Sequence, residues 1–282
     1  MQKYLEKVMK YVFLASACIS VLAVLLICIF LFANGIPAMV KIGFFDFVGG
    51  RVWKPSSDIF GVFPMICGSI YVTAGAVILG VPVGILTAVF LVWFCPPRVY
   101  RFLKPAVNLL AGIPSVVYGF FGLMVIVPFI RDNFGGRGTS MLAASLVLGI
   151  MILPTVTGIS ESAIRAVPKS YYEGAQALGA TKEMSVFKTV LPAAKSGVMA
   201  GVILGIGRAI GETMAVVMVA GNQPVMPNGM LKGVRTLTAN IVLEMSYAAD
   251  LHREALIASA VILFVFILLI NLCFNAYKGA KE

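Results

Sequence analysis

Long apolar runs alternate along the chain with short segments that carry nearly all of its charge. Six such runs can be drawn: residues 12–33, a stretch within Ile59 to Pro97, Pro105 to Ile130, Thr139 to Ser160, Ser196 to Ala220, and Ala255 to Tyr277. Each is close to or beyond the roughly 20 residues a helix needs to cross the hydrocarbon core. Helices satisfy their own backbone groups in lipid, where no water is available to do so. The pattern therefore predicts six membrane-spanning helices. The first run follows Lys3, Lys7 and Lys10, and its 22 residues exceed the core of a signal peptide, about 7–15 residues, so it reads as an uncleaved span.

Composition narrows the class. With 60% hydrophobic and 12% charged residues, the chain departs from soluble globular proteins, which carry about 25% charge. The 22 Lys and Arg residues against 12 acids give +10. In a membrane protein the first use of such an excess is orientation. One span between Ile59 and Pro97 places 13 basic residues inside and 8 outside, whereas two spans there would reverse the bias. Six spans with both termini cytoplasmic follow, so the surplus is read neither as a nucleic-acid surface nor as an anion-attracting field. The five cysteines lack CxxC spacing and any cluster with histidine, and they read as buried free thiols.

The loops between the runs differ. Residues 34–63 form an outer loop whose Phe44, Phe45, Phe47 and Trp53 point to an interfacial position. A second outer loop, 221–254, opens with turn residues and continues with Leu237, Ile241, Met245 and Ala249 at helical spacing, which predicts a surface helix. Its His252, the only histidine, reads as solvated. The inner loop, 161–195, is denser in signals. Ser170 and Glu173 have capping-box spacing, Gly179 can end the helix they start, and Thr181 can cap a second helix that carries Val186, Val190 and Leu191 and stops at Pro192. A helix-turn-helix on the cytoplasmic side fits a loop with a partner.

The stretch EGAQALGATKEMSVFKTVLP in this loop resembles the EAA loop of ABC-importer permeases. Glu173, Ala175, Gly179, Leu191 and Pro192 match in register, with Gly174 replacing the usual first Ala and Thr189 the usual Ile. The strings AGIPSVVYGFFGL (111–123), GIGRAIGETMAVVMVAGN (205–222) and RTLTANIVLEM (235–245) are similar to the PstC-type permeases of phosphate importers. The resemblance implies an all-α, six-span type I importer permease fold. It divides the chain into an N-terminal span with its outer loop (1–64) and a permease core (65–277) with the coupling loop at 161–195. It also implies that Glu173, Gly174, Ala175, Gly179, Ala180, Leu191 and Pro192 contact a cytoplasmic ATPase. The implied partners are a PstA-type second permease, a PstB-type ATPase dimer that holds ATP and Mg, and a PstS-type extracellular phosphate-binding protein. No cofactor is expected on this chain.

Within the fifth run, Arg208 and Glu212 are the only charges, four residues apart and so on one helix face with Gly197, Gly201 and Gly205. Each such charge costs about 3 kcal/mol to insert, and the small residues let a second helix approach closely. Two readings stand. Arg208 faces a translocation path and grips phosphate oxygens with its planar fork, or the pair is a salt bridge that locks helices together. In the third run, Ser115 and Tyr118 either offer hydroxyls to that path or belong to a segment merely kinked by Pro114 and its glycines. The chain lacks the GxxxxGK[ST], HExxH and GxSxG motifs, so neither ATP hydrolysis nor an intramembrane hydrolase is indicated. A permease for molybdate or sulfate, or a stand-alone channel or secondary transporter, remains as the alternative.

Overall fold

The computed structural model describes residues 2–279, and the side chains of residues 6–273. Lys281 and the side chains of Lys3 and Lys278, which are among the 13 inner basic residues, lie outside the described residues. Five helical segments are long and apolar enough to span a bilayer: Glu6–Ile42, Phe63–Phe94, Ser115–Phe134, Met141–Arg165 and Asp250–Cys273. A sixth comes from a helix pair bent by 71°, Lys182–Ala193 and Lys195–Gly211. The region between Ile59 and Pro97 thus holds one span, as the charge bias requires.

In chain order the elements are α1 (Gln2–Ile42), α2 (Phe44–Gly49), a small antiparallel hairpin of β1 (Trp53–Lys54) and β2 (Ile59–Phe60), and α3 (Phe63–Val89). Then follow α4 (Pro97–Gly112), α5 (Ser115–Phe121), α6 (Val127–Phe134) and α7 (Met141–Arg165). The inner-loop region comprises α8 (Lys169–Ala177), α9 (Lys182–Ser185) and α10 (Leu191–Ala193). Last come α11 (Lys195–Gly211), α12 (Met214–Val219), α13 (Leu237–Glu244) and α14 (Asp250–Gly279). The main core lies where α3, α5, α7 and α12 meet, around Val72, Ala76, Val147, Leu148, Met151 and Val216.

Small residues bring the central helices together. A side chain at Gly80 would meet the Gly149 carbonyl at 2.6 Å, and one at Gly84 would meet Val156 at 2.9 Å, so α3 lies almost backbone-to-backbone on α7. Gly201 and Gly205 set α11 against Ile159 and Val156 of the same helix. Lipid is as apolar as these helices, so close packing rather than water exclusion holds them.

Three helices widen into a π turn, and in each the last donor is the residue before a proline. Cys95 N–H bonds the Phe90 carbonyl before Pro96, Val127 N–H bonds that of Gly122 before Pro128, and Leu191 N–H bonds that of Val186 before Pro192. Proline lacks the N–H and its ring crowds the carbonyl four residues back. An i→i+5 turn makes room for it.

Several boundaries differ from those expected. The third span starts at Ser115, because Ile113 is extended ahead of Pro114 and ends α4, a separate amphipathic helix with Arg98, Arg101 and Lys104. The first helix continues through Pro37 to Ile42 and shortens the outer loop. There Phe44 and Phe45 are exposed, but Phe47 and Trp53 are buried rather than interfacial, because they fill the space between α1, α3 and α14. The helix α13 is also not on the surface: Leu237, Ala239, Asn240 and Glu244 are buried. The cysteines are free, yet none is buried within the chain, and Cys18 and Cys273 are exposed on its outside.

Candidate functional site

The inner loop forms two helices around a tight reversal. Gly179 adopts φ +85°, Gly179 N–H reaches the Gln176 carbonyl and Ala180 N–H reaches that of Ala175. This is a Schellman ending, which needs a residue at home in the left-handed region. Thr181 Oγ1 then accepts from Met184 N–H at 3.3 Å and starts α9. The expected capping box does not form. Pro168 occupies the N-cap and α8 begins at Lys169, which leaves Ser170 inside the first turn. The second helix also continues past Pro192 to Ala193, since the π turn accommodates the proline.

Glu173, Gly174, Gly179 and Pro192 are exposed, while Ala175, Ala180 and Leu191 are half-buried. Val186 and Val190 face inward against Ala88, Val89 and Ile164. The loop is thus anchored by one face and open on the other. Its open face includes side chains the sequence reading passed over: Leu178 is 91% exposed, and Tyr171, Met184 and Phe187 are exposed with it.

Above the loop, Glu161 is buried near the inner end of α7. It accepts hydrogen bonds from Tyr100 (2.9 Å), Lys104 (2.7 Å) and Arg165 (3.1 Å) and so ties α4 to α7. The sequence pattern places it only at the start of the inner loop, 161–195. Its position four residues before Arg165 was the available signal.

Arg208 and Glu212 do not form the expected pair. The helix α11 ends at Gly211, and Glu212 is extended (φ −69°, ψ 134°). The ion pairs among the described residues do not include either side chain. Arg208 Nη1 instead donates to Thr155 Oγ1 of α7 at 3.2 Å, and Glu212 Oε1 accepts from Ala215 N–H at 3.2 Å at the start of α12. Gly207 and Gly211 each weaken the helix by about 1 kcal/mol relative to Ala, and the freed backbone is met by side chains. Thr238 Oγ1 donates to the Glu212 carbonyl at 2.9 Å. Arg208 is half-buried in the last turn of α11, and none of the ion pairs among the described residues includes it. Ser115 is half-buried at the start of α5, whereas Tyr118 is buried and donates to the Leu110 carbonyl at 2.8 Å. Tyr118 therefore braces the α4–α5 break and presents no free hydroxyl.

At the outer end, Glu244 is buried under the hairpin. It takes Trp53 Nε1 at 2.8 Å and His252 Nε2 at 2.9 Å, and it pairs with Arg235. Arg235 Nη1 also donates to Asn240 Oδ1, and its Nε donates to the Asn222 carbonyl, both at 3.0 Å. His252 stacks on Phe60 and is not the solvated side chain expected.

Residues 80–280 match the family model of binding-protein-dependent transport system inner membrane components. The chain belongs to this family. The permease is 40% identical over 91% of its length to the "probable ABC transporter permease protein YqgH" of Bacillus subtilis, of which 87% is covered. It is 36% identical over 86% of its length to the phosphate transport system permease protein PstC of Mesorhizobium japonicum, of which 81% is covered. Among solved structures, an inward-facing form of the MetNI methionine ABC transporter aligns with TM-score 0.59 and 20% identity over 82% of this chain and all of that one. A bacterial importer of the polysaccharide alginate aligns with TM-score 0.59 at 13% identity, over 77% and 78% of the two chains. These two share the type I ABC-importer permease fold with this chain.

The permease is therefore a membrane component of an ABC importer, a class that works with an ATPase and a substrate-binding protein. In that light the bare apolar face around Leu178 and the unpaired Arg208 are its two sites of interest. One lies on the loop between α7 and α11, and the other at the break between α11 and α12.

Proposed function

We propose that this permease moves inorganic phosphate across the cytoplasmic membrane, driven by ATP on a separate ATPase dimer of the PstB type. The observation that carries the reading is the joint one of its similarity to proteins named as phosphate transport permeases and an intramembrane Arg208 without a carboxylate partner. A guanidinium offers paired N–H donors that match phosphate oxygens. Because Glu212 is engaged in capping α12, it leaves Arg208 available to an anion, and Thr155 holds the guanidinium in place. Ser115, half-buried at the start of α5, would offer its hydroxyl to the same path. The salt-bridge lock is the weaker reading, since its two charges have other partners.

In this reading a PstS-type protein delivers phosphate to the outer face, and a PstA-type permease completes the pathway. ATP and Mg bind the ATPases, which dock at Glu173 to Pro192. Residues 1–64 supply the N-terminal span and 65–277 the permease core. Both termini face the cytoplasm, no cofactor binds the chain itself, and lipid surrounds it.

The test is ATP-dependent uptake in liposomes that contain the full set. Arg208→Ala should abolish phosphate uptake while the subunits still co-purify, and Arg208→Lys should restore little, because it keeps charge and loses the fork. Normal phosphate uptake by Arg208→Ala would remove the pathway role. Uptake of molybdate or sulfate in place of phosphate would redirect the substrate.

A further inference from the structure

Along the chain the inner loop leads into α11, but its aromatic contacts are with the end of α3. Tyr172 of α8 stacks on Trp93, with ring centroids 4.4 Å apart and planes at 28°. On the other side of the Gly179 reversal, Lys182 Nζ lies 4.9 Å from the centre of the Phe94 ring. Trp93 and Phe94 belong to one π turn, Phe90–Phe94, at the inner end of α3. Both helices of the loop thus grip the same turn, and it is the turn where the hydrogen-bond ladder of α3 is widened. The covalent route to α11, by contrast, passes through the 71° bend after Ala193, which can absorb displacement.

From this turn α3 leads back to its close approach to α7. The helix α3 lies on α7 at Gly80 and Gly84, and the next residue on α7 before Val156 is Thr155, the partner of Arg208. The indole N–H of Trp93 is buried with no acceptor among the described residues.

We propose that Trp93 is a positioning residue that passes displacement of the coupling loop to α3, so that ATP hydrolysis drives two spans rather than one. The proposal rests on the ATP-driven reading above. It predicts that loss of the ring separates hydrolysis from transport.

The experiment uses the complete importer in proteoliposomes, with phosphate uptake and ATP hydrolysis measured on the same vesicles. Trp93→Ala should lower uptake per ATP roughly tenfold, within the range seen for residues along a coupling route, with hydrolysis and ATPase co-purification retained. Trp93→Phe, which keeps a ring for Tyr172, should recover most of the ratio. Tyr172→Leu breaks the stack from the loop side and should reproduce the loss of Trp93→Ala, so a folding defect in one variant does not decide the matter. An unchanged ratio in either stack-breaking variant, or a proportional fall of hydrolysis and uptake that Trp93→Phe does not repair, overturns the proposal. If the wild-type importer carries a different oxyanion, the phosphate reading falls, and the same ratio measured with that anion still decides the role of Trp93.

Discussion

At the inner end Glu161 gathers Tyr100, Lys104 and Arg165, and at the outer end Glu244 gathers Trp53, Arg235 and His252. Both carboxylates are buried, yet their partners differ. Lys104 and Arg165 keep 26% and 46% of their side-chain surface exposed, whereas Arg235 and His252 keep 14% each. The inner cluster is a clamp at the edge of the structure, next to a loop whose apolar Leu178 is uncovered. The outer cluster is enclosed by the chain's own hairpin, α13 and α14. One end leaves an apolar side chain uncovered, and the other is closed from within.

Removal of Glu244 should break this comparison most severely. Glu244→Ala leaves the Trp53 indole buried without its acceptor and Arg235 buried without its counter-charge, a change that costs about 3–5 kcal/mol for a buried pair. The expected result is a large drop in folded yield and thermal midpoint in detergent, and near-normal melting would show that the outer cluster is hydrated. Glu161→Gln should cost less, roughly 1–2 kcal/mol, because Lys104 and Arg165 can turn toward water. Its signature is faster hydrogen exchange confined to α4, so uniform destabilisation across the protein would contradict the clamp. Leu178→Ser should change stability by no more than about 0.5 kcal/mol, yet it should reduce ATPase co-purification. Unaltered co-purification would place the docking surface elsewhere.

The two ends also differ in how far they could be read. The inner loop was legible because its signals are local: Gly179 ends one helix and Thr181 caps the next through contacts within five residues. Even there the start was misjudged, since Pro168 displaced Ser170 from the cap. The outer loop was not legible. Trp53 and Glu244 are 191 positions apart, and no local pattern announces that they meet. Helical spacing identified α13, but not which of its faces would be covered. The break at Glu212 was missed for a related reason. An uncharged run with glycines reads as continuous until a distant hydroxyl, that of Thr238, satisfies the carbonyl that the break exposes.

By itself the sequence determined the membrane class, the single span between Ile59 and Pro97, the two-helix form of the loop at 161–195 and the presence of a charge at position 208. These depend on hydropathy, on charge bias and on hydrogen bonds between near neighbours. Only the tertiary structure decided the partners of the buried charges. Arg208 turned to Thr155 and not to Glu212, Glu161 clamped α4, and Glu244 locked the outer loop. A charge held in or near lipid must find compensation somewhere. Which group supplies it depends on packing that brings distant segments together, and spacing along the chain does not contain that information.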